Sequence, residues 1–98
     1  MLYMIVESFR NGAVPVYQRF REQGRMLPDG LTYIDSWVSE DMTRCYQVMS
    51  SDDPVLLNSW MAKWDDLVSF EVVPLMNSIE AQNMISDVDP VLTSPRTC

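Results

Sequence analysis

NSWMAKWDDLVSFEVVPL, residues 58–75, changes its period halfway along. Leu56, Leu57, Trp60, Met61, Trp64 and Leu67 return every three or four positions. That spacing puts them, both tryptophans included, on one inward stripe of an amphipathic helix, with Lys63, Asp65 and Asp66 on the outer side or at the end. Asp53 is an N-cap candidate and Pro54 suits the first helical position, so the helix starts there. From Val68 the run VSFEVVPLM is β-rich and apolar, and a strand follows. Pro74 cannot donate to a ladder, which puts this strand at a sheet edge or takes it out of the sheet near that point.

Working outward, MLYMIVESF (1–9) reads as a strand apolar at both parities, expected to be buried on two faces, and Asn11 and Gly12 end it. VPVYQRFREQG is a helix of about ten residues: Pro15 suits its first turn, Val16, Tyr17 and Phe20 repeat at helical spacing, and Gly24 suits a C-terminal cap. Pro28, Asp29 and Gly30 carry turn chemistry. LTYIDSWV and TRCYQVMS, linked around Glu40, Asp41 and Met42, form an antiparallel hairpin. Asn77 with Glu80 is a capping-box pattern for a short last helix. SDVDPVLTSPRTC has two prolines and little periodicity, so residues 1–86 are expected as one domain and 87–98 as a C-terminal tail.

The order is βαββαβ plus a terminal helix. It most simply makes an α+β, ferredoxin-like fold: a four-stranded antiparallel sheet with two helices on one face. The other sheet face carries enough apolar and aromatic side chains that it is expected to pack against the same face of a second subunit, giving a homodimer.

Ninety-eight residues make one domain, and 47% hydrophobic content is enough for a core. A net charge of −7, with seven Lys and Arg residues in no cluster, argues against nucleic acid or an anionic membrane as partner. The apolar opening lacks a basic segment and meets Glu7 too soon for a signal peptide or a membrane span, so a cytoplasmic protein is expected. The chain has no histidine, which removes His-ligated haem, zinc and iron and every His-based triad. Two cysteines make no disulfide framework. Neither Asp65–Asp66 nor Ser51–Asp53 has the ligand spacing of a calcium loop, and three glycines make no phosphate cradle. No metal and no cofactor is expected.

GRMLPDGLTYIDSW, RCYQVMSSDDP and WMAKWDDLVSFEVVPL together resemble the small bacterial proteins grouped as domain of unknown function 3303, over about residues 1–80. The resemblance implies a member of the dimeric α/β-barrel superfamily: a ferredoxin-like protomer, a dimer with a barrel-like core, and a cavity in or near each protomer. Related branches include cofactor-free monooxygenases, haem-handling enzymes that use a histidine this chain lacks, small-ring isomerases and proteins with no known reaction. Fold analogy does not choose among them.

If the hairpin link is even in length, Trp37 lies opposite Tyr46 and Ser39 opposite Arg44, with Tyr33 and Asp35 on the same face by the two-residue period. Cys45, Gln47 and Met49 then share the other face with Ile34 and Val38. Aromatic walls with a carboxylate and a guanidinium among them are how a pocket orients an organic ligand, here a small apolar or aromatic one. Tyr33, Trp37, Tyr46, Trp60 and Trp64 are therefore the candidate pocket, and Asp35, Arg44 and Glu71 the candidate catalytic groups. Glu71 has three readings: solvent at a strand edge, a cavity where desolvation raises its pKa and suits it to acid–base work, or a salt bridge with Arg44 or Arg25. The tryptophans at helical spacing are first of all core, and one lining a cavity offers its second ring face to a ligand. Cys45 reads as an inert buried thiol. Two functions stand level: a metal-free small-molecule enzyme of oxygenase or isomerase type, and a non-catalytic dimer that binds a small ligand or another protein.

Overall fold

The chain folds, in a computed structural model that describes residues 1–86, as β1 (Leu2–Phe9), α1 (Ala13–Gln23), β2 (Thr32–Val38), β3 (Arg44–Ser50), α2 (Pro54–Ala62), β4 (Val68–Leu75) and α3 (Ser78–Ser86). The expected tail at 87–98 lies outside the described residues. The strands form one antiparallel sheet in the order β2-β3-β1-β4, the ferredoxin-like arrangement. β1 is central because it is the strand apolar at both parities, and Pro74 sits on edge strand β4, where its missing N–H costs no inner ladder bond.

The capping residues act as their chemistry dictates. Asp53 Oδ1 accepts from the Val55 N–H at 3.0 Å and starts α2 at Pro54. Asn77 Oδ1 accepts from the Glu80 N–H at 2.8 Å, and its Nδ2 donates to Glu80 Oε1 at 3.2 Å. Gly30 holds φ +93°, a backbone conformation that side chains rarely adopt, so the turn favours glycine.

Two expectations are corrected. The helix carrying the tryptophans stops at Ala62, and the chain then winds through i→i+3 turns, Lys63 N–H to the Trp60 carbonyl and Trp64 N–H to the Met61 carbonyl, both at 3.0 Å. This tighter winding still leaves Trp64 facing inward, two residues past the helix end. The second correction is the β2 register. Trp37 does lie opposite Tyr46, and the Ser39 N–H does bond the Arg44 carbonyl, but a bulge between Tyr33 and Asp35 adds one residue to β2. The extra residue returns Tyr33 to the face of Met49 and separates it from Asp35 and Trp37.

The helix-covered face holds the core: Tyr3, Ile5, Leu31, Met49, Leu57, Trp60 and Trp64. Trp60 meets Phe70 edge to face, ring centroids 5.6 Å apart. The opposite face carries Met4, Val6, Tyr46, Val48 and Val73, with Trp37 56% exposed. α1 buries none of its residues. It is fastened from outside instead, Arg19 gripping both oxygens of Asp66 at 2.7 and 2.6 Å and the Lys63 carbonyl at 3.0 Å. What lies beneath α1 is a cavity.

Candidate functional site

The cavity has a volume of about 130 Å³ and lies between the sheet and the two helices. Its floor comes from three adjacent strands: Glu7 and Phe9 of β1, Cys45 and Gln47 of β3, Ser36 and Val38 of β2. α1 supplies Val16, Tyr17 and Phe20 as one wall, α2 and the turn after it supply Trp60 and Trp64 as another, and Arg25 stands at the rim. The lining is mostly apolar with a few polar groups converging on it, the composition of a small-molecule site.

Glu7 is the chemical centre of this arrangement. It shares parity with Tyr3 and Ile5, so the two-residue period of β1 turns it into the protein, where it is only 8% exposed. Cys45 and Phe70 are its cross-strand partners. Burial pushes its carboxyl up to about 7, although a hydrogen bond donated by the Cys45 thiol and the positive charge of Arg25 both favour the ionised form. Cys45 feels the reverse effect. Burial first, then the neighbouring carboxylate, raise its thiol to about 12, so it is neutral at physiological pH and acts as a donor, never as a nucleophile. The Tyr17 hydroxyl is also raised, by burial and then by Cys45 and Glu7.

Arg25 is held by backbone contacts and stacked by its side chain. Gly24 and Met26 on either side adopt left-handed φ of 69° and 59°. The Arg25 carbonyl between them accepts both indole N–H groups, Trp60 Nε1 at 2.9 Å and Trp64 Nε1 at 3.2 Å, while Lys63 Nζ bonds the Met26 carbonyl at 3.0 Å. The two tryptophans one turn apart therefore do more than fill the core: they pin one loop carbonyl together. So fixed, the guanidinium lies on the Tyr33 ring, Cζ 3.6 Å from its centroid, with Phe20 at 5.0 Å. Among the described residues the ion pairs are Met1–Asp52 and Arg19–Asp66, so Glu7 and Arg25 face one cavity without joining.

The sequence-derived set is split by the sheet. Trp60 and Trp64 line the cavity, and Tyr33 supports Arg25 from below while bonding Ser36 Oγ at 2.7 Å. Trp37, Tyr46, Asp35, Arg44 and Glu71 lie on the opposite face. Glu71 pairs with Val6 and is exposed, which decides its orientation in favour of solvent and away from the cavity. Glu7, Arg25, Gln47 and Tyr17 were not among the candidate residues. For Glu7 the signal was available, since it continues the Tyr3–Ile5 alternation. Among the described residues no three His, Cys, Asp or Glu side chains converge on a common point for a metal, and no described helix is long and apolar enough to cross a membrane.

No curated protein and no solved structure matches the chain. Residues 1–89, which carry the whole sheet and every residue lining the cavity, match the model of the family described as domain of unknown function (DUF3303), and the protein belongs to that family.

Proposed function

We propose that the protein is a small-molecule enzyme of acid–base type, in which Glu7 moves a proton on a ligand held in the cavity beneath α1. The observation that carries this is a buried carboxyl group, in no ion pair among the described residues, on the floor of an apolar cavity. Such a group is costly to bury and contributes nothing to packing, and a value near neutrality lets it both accept and return a proton. The groups facing it are Cys45 from β3, Arg25 from the α1–β2 loop and Tyr17 from α1; β4 presents Phe70 and α2 presents Trp60, neither titratable. Neither the thiol nor the phenol ionises near pH 7, so a rate governed by ionised Glu7 rises once, through pH about 7.

The reading includes a cytoplasmic homodimer of the dimeric α/β-barrel type. Supporting it is the uncovered apolar face, where Trp37 and Tyr46 form an aromatic centre and Asp35, Arg44 and Glu71 provide charge. In this dimer those five residues serve the subunit contact, and proton transfer belongs to Glu7. The alternative is a dimer of the same design that binds a small ligand without turnover, in which Glu7 only orients it.

Native mass spectrometry of the purified protein, wild type beside Glu7→Gln, tests these readings together. A dimer whose Glu7→Gln form carries a small-molecule mass that the wild type has converted supports the enzyme. The same unaltered mass in both supports the binding protein. A monomer with no bound mass in either form overturns both.

A further inference from the structure

Arg25 offers an uncommon combination. Its guanidinium is flattened on Tyr33 with Phe20 beside it, at the rim of the cavity, and among the described residues its side chain donates no hydrogen bond to the protein. The planar face is used and the in-plane N–H donors are unspent, so the group is prepared to bind an oxygen atom approaching edge-on. Across the cavity lies Glu7, close enough to feel the arginine charge but not bonded to it. The walls between them are Trp60, Trp64, Phe20, Val16 and Val38. A cavity of about 130 Å³ is in the size class that holds a single six-membered ring.

We propose that the substrate is a small carbonyl compound of about one ring with a C=C bond β,γ to the carbonyl, its carbonyl oxygen on Arg25 and the acidic carbon between the two double bonds facing Glu7, and that the reaction is a proton shift within that molecule. This rests on the acid–base reading above and adds the substrate class. The Glu7 carboxylate removes the proton from the carbon beside the carbonyl, and the C–H electron pair becomes the C=C bond of an enolate. The carbonyl π pair moves to the oxygen, where the guanidinium meets the charge as it develops. The β,γ π pair then takes the same proton back from the Glu7 carboxyl at the γ carbon, two carbons from where it left; the enolate C=C pair moves to the α,β position, and the oxygen pair re-forms C=O in conjugation with it. Nothing is oxidised or reduced, no co-reactant is consumed, and Glu7 ends as it began. Gln47 on β3 and Ser36 beyond it on β2 line the same floor and give the ring edge polar neighbours without adding charge.

Two probes test this on the full chain. Calorimetry with 4-nitrophenolate, a flat ring bearing an oxyanion, is expected to give saturable binding that weakens roughly ten- to a hundredfold in Arg25→Met and returns in Arg25→Lys. At pH 8 it is expected to tighten in Glu7→Gln, which removes a like charge from the cavity. Cyclohex-3-en-1-one is expected to become cyclohex-2-en-1-one, read by the absorbance of the conjugated product, with a loss of about a hundredfold or more in Glu7→Gln. Circular dichroism verifies the fold of each variant, and the two Arg25 variants keep the backbone carbonyl that the tryptophans require. If 4-nitrotoluene binds as well as the phenolate and Arg25→Met changes nothing, the substrate class is overturned while the cavity remains a ligand site. If the phenolate binds through Arg25 but the ketone is not isomerised, the proton shift is overturned. If neither aromatic probe binds, the acid–base site falls with it.

Discussion

Glu7 and Glu71 sit one residue apart in register on neighbouring strands, and the sheet sends them to opposite sides. Glu7 pairs with Phe70 and points beneath the helices; Glu71 pairs with Val6 and points away from them. The same side chain thus meets two environments within a few ångströms of backbone, and burial in the covered one raises the Glu7 carboxyl toward neutrality. The two faces differ in the same way as wholes. One is closed over a cavity by residues that pin each other in place; the other is an apolar surface with charges among its aromatics. The proposed chemistry belongs to the first and the proposed association to the second.

The hardest way to break this contrast is to remove the anchor of the covered face. Trp60, 2% exposed and bonded to the Arg25 carbonyl, should cost about 3–5 kcal/mol when changed to Ala, measured by urea unfolding. Next comes the buried carboxyl. Its folded value near 7 stands above the unfolded one near 4.5, so the native state binds the extra proton between them, and stability is fullest below the lower value and declines as pH rises to the upper. Glu7→Gln should therefore stabilise the protein at pH 8 by on the order of 3 kcal/mol and leave it unchanged at pH 4. Glu71→Gln, an exposed substitution on the open face, should change protomer stability by no more than about 0.5 kcal/mol, and a larger cost would mean that the contrast between the two glutamates is wrong.

On the open face, Trp37→Ala should weaken association by about 2 kcal/mol in sedimentation while altering protomer stability by no more than about 0.5 kcal/mol. The smallest effect belongs to Arg19→Ala. Its pair with Asp66 is solvent-exposed, so a slight drop in melting temperature that added salt conceals is expected.

The fold was legible because each element announces itself locally. Asp53–Pro54 starts a helix by capping geometry, Pro74 marks an edge, Gly30 is demanded by its φ, and the period change at Val68 separates helix from strand. The cavity was harder to read because it depends on register and on winding beyond a helix end. A single bulged residue next to Tyr33 reversed that side chain relative to Asp35, and nothing in TYIDSW marks the bulge by composition. Glu7 was obscured differently: in a strand apolar at both parities, one carboxylate looks like an interruption, and only the choice of face gives it a role. Arg25 owes its position to two indoles 35 and 39 residues away, a long-range contact that local pattern does not encode.

That shared carbonyl has a spectroscopic consequence. Trp60 and Trp64 donate to one oxygen of the loop that carries Arg25, so any shift of the loop alters the hydrogen bonding of both indoles at once, and their NMR N–H resonances should move together. Trp37, far more exposed and on the other side of the sheet, is deaf to that event and hears only what covers its own face. With three tryptophans in the whole sequence, the protein carries two separate built-in gauges, a coupled pair for the cavity and a single one for the open face.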